Sequence, residues 1–324
     1  MPIVRAADLV LGDEELDRIA GLFGLRKIEP IGGFENLLFR STDPPGVVVR
    51  VTHAGRRSVD QIRGEFEFVE HLARRGAPVV RPVHTKDGHL CVERLTEAGA
   101  PVLIVAMSAA PGAHKSPELW TSQDCETYGR TLGRLHVAAN DFVPSKPSHR
   151  RPPWFGSQLD PGFGDDPLRS RFETIVDRAR AVPAGGTELL IHQDAHHGNL
   201  HVAEDGTMTL FDFDDCAYGS ATHDLAICLF YRFFGEENLD HEAIASFTGP
   251  FLRGYTSVHK LPETWPHGVD DFLSLREVTV LFLTKTMPKK RPIHERFLER
   301  AARNVREDAP YLDLPASEWA NPSI

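Results

Sequence analysis

The sequence predicts an α+β chain in two parts: an amino-terminal antiparallel sheet with one long helix, then a mainly helical remainder. Three observations carry this. Apolar, β-branched runs separated by turn residues recur through 1–106, the clearest being VVVRVT at 47–52. One helical stripe, Ile62, Phe66, Val69 and Leu72, interrupts them. After Ala109-Ala110-Pro111-Gly112 the apolar spacing becomes helical for most of the chain.

In order, Leu16, Ile19, Ala20 and Phe23 share one face of a helix over 13–23. Strands over 28–31 and 36–41 flank Gly32-Gly33, and Asp43-Pro44-Pro45-Gly46 turns the chain into the strand at 47–52. The long helix spans 59–74. Strands over 89–94 and 102–107 follow, with a turn at 97–101. The boundary is set near Met107, giving an amino-terminal lobe over 1–106 and a carboxy-terminal lobe over 107–324. In the second lobe, helices over 123–139 and 169–181 enclose a Pro- and Gly-rich loop at 144–167. Short strands at 189–191 and 209–213 flank a histidine-rich loop, and the chain beyond Thr222 is helical.

Composition narrows the function. The 324 residues are 41% hydrophobic, enough for a real core. The net charge of -10 argues against nonspecific nucleic-acid binding, which needs a basic face. No run of about 18 apolar residues is present to span a membrane. Acidic residues near the start stand where an export signal needs apolar ones. A cytoplasmic enzyme or binding protein is expected. Cys91, Cys125, Cys216 and Cys228 form no C-x-x-C pair, so buried free thiols are expected.

The informative stretch is LIHQDAHHGNL followed by LFDFDDCAYGSATHDLA, within 190–230. His192-Gln193-Asp194, four residues and then Asn199 have the H-x-D-x4-N spacing of a kinase catalytic loop. In phosphoryl transfer an Asp orients the acceptor hydroxyl and takes its proton, while Mg2+ needs hard oxygen ligands. Asp194 fits the first role, Asn199 and Asp212 the second. A rival reading takes His192, Asp194, His196 and His197 as ligands of a hydrolytic metal site, which leaves Asn199 and Asp212 without a role.

These segments resemble the aminoglycoside phosphotransferase, choline kinase and homoserine kinase superfamily, and within it the bacterial RdoA-type branch. The resemblance is specific over IHQDAHHGNL and LFDFDDCAYGSATHDLA and weaker over about residues 24–140. It implies a bilobal protein-kinase-like fold, ATP and Mg2+ as cofactors, and Asp194, Asn199 and Asp212 as catalytic residues, the last two as metal ligands. Gly32, Gly33 and Asn36 then match the phosphate loop (31–36). Arg50 stands where protein kinases carry a strand lysine, with Glu65 as its helix partner and Glu67 and Glu70 as competitors. Met107 lies in the hinge strand, where adenine meets backbone groups at 106–108. His136 and Asp224 are read as structural, Asp224 anchoring the catalytic loop. Asp214 is read either as helping to bind Mg2+ or orient the loop, or as a solvated loop acid.

The expected acceptor is a hydroxyl of a small molecule: an aminoglycoside, an amino alcohol or a homoserine-like compound. Glu236, Glu237, Asp240, Asp270, Asp271 and Glu277 offer either a cation-binding surface or merely solvated helix faces. An RdoA-type Ser/Thr protein kinase is the main alternative. The sequence has no A-P-E segment, and nine residues separate Asp212 from Thr222, too few for an activation loop. A nucleotide-binding pseudokinase is the second alternative, supported only by Arg50. Oligomeric state is not legible.

Overall fold

Alternation along one strand organises the amino-terminal part of the computed structural model, which describes residues 9–33, 35–155, 168–182, 188–236, 239–261, 265–285 and 292–320. Successive strand residues face opposite sides of a sheet. In β3 (Val47–His53), Val49 and Val51 point to one core while Arg50 points to the other side. In β6 (Pro101–Ser108), Val102, Ile104 and Ala106 join Val49 and Val51, whereas Leu103 and Val105 pack with Ile62 and Phe66.

The sheet is antiparallel throughout. Its order is β1 (Ile28–Gly32), β2 (Leu37–Ser41), β3, β6, β4 (Pro82–Val83), and β5 (Val92–Leu95) also pairs with β6. Helix α1 (Asp13–Leu22) gives Ile19 and Ala20 to the first core. Helix α2 (Val59–Arg74) gives Ile62 and Phe66 to the second. Its start is fixed by a capping box, Ser58 accepting from Gln61 N–H while Gln61 returns a bond to Ser58 N–H.

The chain divides into two units, Met1–Pro111 with Asp141–Arg151, and Gly112–Asn140 with Pro152–Ile324. The first break falls after residue 111, beyond the expected break after residue 106, and the chain returns to the first unit over 141–151. The returning segment is held in the first unit by polar contacts with α2. Glu67 accepts from Ser145 N–H (3.1 Å) and Ser145 Oγ (2.6 Å) and meets His149 Nδ1 at 2.8 Å. Arg151 donates to Gln61 O at 3.1 Å. The composition of 144–167 marked a loop, and within it Pro147–His149 form one 3-10 turn. Residues 156–167 lie outside the described residues.

In the second unit, α3 (Ser122–Ala139) and α6 (His241–Thr256) cross at backbone contact. A Cβ on Gly129 would lie 1.8 Å from Phe251 O, and one on Gly254 would lie 1.8 Å from Glu126 O. Only glycine allows this approach. The remaining helices are α4 (Arg169–Ala181), α5 (Ala221–Arg232), α7 (Trp265–Lys285), α8 (Pro292–Glu307) and α9 (Ala316–Trp319). Two small antiparallel ribbons carry the loops of interest: β7 (Leu189–Ile191) with β10 (Ala217–Gly219), and β8 (Leu200–Val202) with β9 (Met208–Leu210). All four cysteines are buried and free, as the spacing predicts. Among the described residues no helix is long and apolar enough to cross a membrane.

One buried group makes stability depend on pH. His223 stacks on Phe272 (4.6 Å) and meets Trp154 edge-on (5.3 Å), and its Nδ1 has no hydrogen-bond partner. Burial pushes its pKa down from the ordinary 6.5 to about 4. On acidification the unfolded chain therefore takes the proton first. The contribution of neutral His223 is complete above pH 6.5 and is lost as pH falls towards 4, at up to about 1.4 kcal/mol per pH unit. Urea unfolding of His223→Leu at pH 7 and 4.5 is expected to show a smaller loss of stability than the parent. An equal loss in both proteins would remove His223 as the cause.

Candidate active site

The loop between β7 and β8 is fixed from beneath by a buried carboxylate. Asp224, in the first turn of α5, accepts from His192 N–H (2.8 Å) and Gln193 N–H (2.7 Å), and meets His136 Nε2 at 3.1 Å. His136 Nδ1 in turn meets the Tyr255 hydroxyl at 2.9 Å. Burial works against ionisation of Asp224, but His136 and the loop donors outweigh it and its pKa is lowered. Gln193 is thereby held at φ 64°, a left-handed conformation that costs a non-glycine residue energy. Ala195 O is tied down by Tyr128 Oη of α3 and, at 3.2 Å, by Cys228 Sγ of α5. The structural roles expected of His136 and Asp224 are thus visible as contacts.

His192 is engaged at both nitrogens. Nδ1 accepts from Asp194 N–H at 3.3 Å, so Nε2 carries the hydrogen and donates to Phe211 O at 3.1 Å. Burial lowers its pKa, which agrees with a neutral ring. No lone pair is left for a metal. His196 Nδ1 accepts from Gly198 N–H at 2.9 Å. Among the described residues no group of three His, Cys, Asp or Glu could hold a metal ion. The rival histidine-rich hydrolytic site is therefore not formed.

Asp194 emerges from this frame with its side chain 22% exposed. Its Oδ2 accepts from Asn199 Nδ2 at 3.0 Å and faces His196 Nε2 at 3.3 Å. Its Oδ1 accepts from Arg276 of α7. Burial would raise the pKa, yet His196 and Arg276 overcome it and hold the carboxyl well below the usual carboxylate range. Asp194 is therefore ionised at neutral pH.

Asn199 gives its amide hydrogens to Asp194 O and Oδ2, both at 3.0 Å, which turns the amide oxygen the other way. The β8–β9 ribbon pairs Leu200 with Leu210, and Phe211 N–H donates to Asn199 O at 3.1 Å. Asp212 is the residue after Phe211, one step beyond this bond. It is exposed and sits at φ 65°, a second strained non-glycine residue. One amide oxygen and one carboxylate suit Mg2+, which takes few protein ligands and completes its shell with water and phosphate oxygens. Asp214 is buried, and Phe213 packs its ring on His192 at 4.3 Å.

The residues expected to serve a nucleotide lie in the first unit. Arg50 and Glu65 form a sealed bidentate pair at 2.8 and 2.6 Å, each side chain 2% exposed. The competitors are occupied elsewhere, Glu67 with Ser145 and His149, and Glu70 near Arg74. Gly32 and Gly33 adopt φ 107° and 126°, and a Cβ on Gly33 would lie 1.9 Å from Asn36 O. Both glycines are required by the loop. Phe34, between them and Asn36, lies outside the described residues. Asn36 is buried and its Oδ1 accepts from Thr52 Oγ1 at 2.8 Å, so its side chain fastens the loop base to β3. Met107 packs against the α2 core, while Ser108 N–H is spent on Arg81 O (2.8 Å).

The second unit also holds a pocket of about 560 Å3. Tyr231 and His197 line it, and Tyr231 contacts both His196 (ring centroids 4.3 Å) and Arg276 (2.7 Å). Its charged lining is balanced: Glu118 and Glu236 against Arg232 and Arg296. Burial, with the nearby charges, lowers the His197 pKa to about 4, so this ring is neutral. The acidic residues of the tail do not assemble there. Asp240 caps α6, Asp270 accepts from Ala316 N–H, Asp271 pairs with Arg178 at 3.1 Å, and Glu277 is buried on Asn304. Only Glu236 reaches the pocket, and Glu237 lies outside the described residues. Among the described residues they form no single cationic-substrate surface: Glu236 and Asp240 are exposed, Asp270 and Asp271 are half-buried, and Glu277 is buried. Arg276 and Tyr231 were not anticipated. The one signal was an Arg-Glu pair inside the apolar run FLSLREVTVLFL, where a charge needs a partner.

Comparisons with known proteins bear on the family and the fold. The profile of the phosphotransferase enzyme family matches residues 27–261. The chain is 27% identical over 289 residues to an amicoumacin kinase of Bacillus subtilis (strain 168), covering 85% of each. It is 28% identical over 252 residues to a homoserine kinase of Beijerinckia indica subsp. indica, covering 71% of this chain and 70% of that protein. Among solved structures it is similar in fold to an amicoumacin kinase in complex with AMP-PNP, Ca2+ and Ami. The TM-score is 0.82 at 24% identity, covering 91% of this chain and 93% of that one. The chain belongs to the phosphotransferase enzyme family, and is a phosphotransferase with the protein-kinase-like fold that its catalytic-loop residues resemble.

Proposed function

We propose that this enzyme transfers the γ-phosphate of ATP, with Mg2+, to a hydroxyl of a small molecule, with Asp194 as the base. The observation that carries the reading is the Asp194–Asn199 pair, with Asp212 one residue beyond the Phe211 N–H that bonds Asn199 O. Asp194 is ionised and partly open, so it can orient a hydroxyl and accept its proton late in transfer. Asn199 Oδ1 and Asp212 would hold Mg2+, which neutralises charge on the phosphates. Arg50, fixed by Glu65, would steady phosphate oxygens. Gly32 and Gly33 let backbone N–H groups approach phosphates, with Asn36 securing that loop and Met107 in the strand facing adenine.

A pocket joined to Asp194 through Tyr231 favours a small acceptor over a protein serine or threonine. Its balanced charges favour a compound with one amine and a carbonyl or carboxylate over a polycation. That agrees with the names of the relatives, which act on amicoumacin and homoserine. The test is ADP release with amicoumacin, homoserine, aminopropanol and an aminoglycoside, preceded by thermal shift with ATP. A Mg2+-dependent ATP shift and acceptor-dependent ADP release are expected, weakest with the aminoglycoside. No shift at millimolar Mg2+ and ATP would overturn the reading, because a native-state ligand must raise the midpoint by mass action.

A further inference from the structure

Asp194 belongs to a closed circuit of four side chains from three elements. Arg276 of α7 donates to Asp194 Oδ1 and, at 2.7 Å, to the Tyr231 hydroxyl of α5. The guanidinium lies 5.0 Å from the centre of the Tyr231 ring. That ring packs on His196 at 4.3 Å, and His196 Nε2 returns to Asp194 Oδ2 at 3.3 Å. A carboxylate offers about four lone-pair directions. Asn199 and His196 face Oδ2 and Arg276 takes one direction on Oδ1. The second direction on Oδ1 is the one left to meet a hydroxyl.

We infer that Arg276, braced by Tyr231, is a positioning residue that sets the rotation of the Asp194 carboxylate for phosphoryl transfer. The inference rests on the proposed role of Asp194 as base. Comparison within the molecule separates this pair from a sealed, fully buried ion pair. Arg50 and Glu65 are sealed at 2% exposure each, with both guanidinium termini on one carboxylate. Arg276 and Asp194 are 17% and 22% exposed, and one nitrogen of Arg276 is shared between the carboxylate and a residue lining the pocket. Arg276 thus couples the wall of the pocket to the base. Phosphoryl transfer is governed mainly by positioning, so loss of this brace should appear in turnover and not in ATP binding.

The test is a double-mutant cycle on kcat with Arg276→Met, Asp194→Asn and the double variant. The acceptor is the best of the four compounds above, or water in slow ATP hydrolysis where none turns over. Arg276→Met is expected to lower kcat about 100-fold while the KM for ATP changes less than about twofold. Arg276→Lys should recover about a tenth of the parent rate, because a cation returns without the planar guanidinium whose terminal nitrogen meets both Asp194 and Tyr231. In the Asp194→Asn background, Arg276→Met should cost nothing further, since a residue acting through another is silent once that other is gone. Thermal midpoints with and without Mg2+ and ATP establish that each variant is folded. Should Arg276→Met fail to fold, Arg276→Lys and Tyr231→Phe carry the test, the latter with a fall in kcat of about tenfold. An Arg276 variant within about twofold of the parent kcat overturns the inference, as do losses that multiply in the double variant. Near-parent turnover of Asp194→Asn itself is the separate result that defeats the base assignment.

Discussion

Asp194→Asn is expected to lower turnover by about three orders of magnitude, the middle of the range for a positioned general base, and to leave the Mg2+-dependent ATP shift in place. The substitution keeps the shape and removes the function for a reason visible in the contacts. Both oxygens of Asp194 receive donors: Asn199 and His196 on Oδ2, Arg276 on Oδ1. An asparagine has one oxygen, so its amide nitrogen must face either Arg276 or the Asn199 amide. That leaves a donor against a donor, at about 1–3 kcal/mol for the unsatisfied group. The loss in turnover should far exceed the loss in thermal midpoint. The parent should also keep its activity down to pH 5, because His196 and Arg276 hold Asp194 ionised there. The measurement is ADP release for parent and variant over pH 5–8, with thermal shift alongside. A variant that turns over at the parent rate would remove Asp194 as the base. A variant that loses the ATP shift would make it a binding residue.

What the sequence made legible follows the range of the interactions. Helix α2 is read to the residue because Ile62, Phe66 and Val69 repeat along one face. The contact of Asp194 with Asn199 is legible because it depends on a spacing of five residues, and the proposed place of Asp212 because the β8–β9 ribbon is a short local hairpin. Arg50 and Glu65 are legible because a cation inside an apolar strand requires an acid nearby, fifteen residues away. Arg276 meets Asp194 across 82 residues, and no local spacing encodes that. Strands β4, β8 and β10 have two or three residues each, too few for alternation to register. The return of Asp141–Arg151 to the first unit depends on Glu67 meeting Ser145 and His149. Composition marks such a segment as a loop without naming its partner. The acidic tail shows the same limit. Asp240, Asp270 and Glu277 look alike as charges, and only their partners distinguish a helix cap, a loop staple and a buried acid.

Asp224→Ala is expected to be the most destabilising single change near the site and to silence it without touching substrate. The carboxylate accepts two consecutive backbone donors, His192 N–H and Gln193 N–H, and meets the buried His136 ring. Removing it orphans all three groups in a core where Asp224, His136 and His192 are fully buried. Stripping one partner from a buried, hydrogen-bonded charge costs about 3–5 kcal/mol. The second consequence concerns the backbone. Gln193 is held at φ 64°, and such conformations persist only where surrounding contacts overdetermine them. Without the anchor at its N–H, Gln193 can relax towards an ordinary conformation and carry Asp194, the next residue, off its bearings. Turnover should therefore fall by about 100-fold in whatever fraction of the protein remains folded, as expected for a displacement of about 1 Å at a catalytic group. His136→Gln separates the two effects. It removes one contact to Asp224 and leaves both backbone bonds in place, so it should cost stability while keeping most of the turnover. Urea unfolding and ADP release on the same preparations decide the matter. Equal turnover losses in the two variants would show that Asp224 acts through the general stability of the core and not through the backbone of the loop.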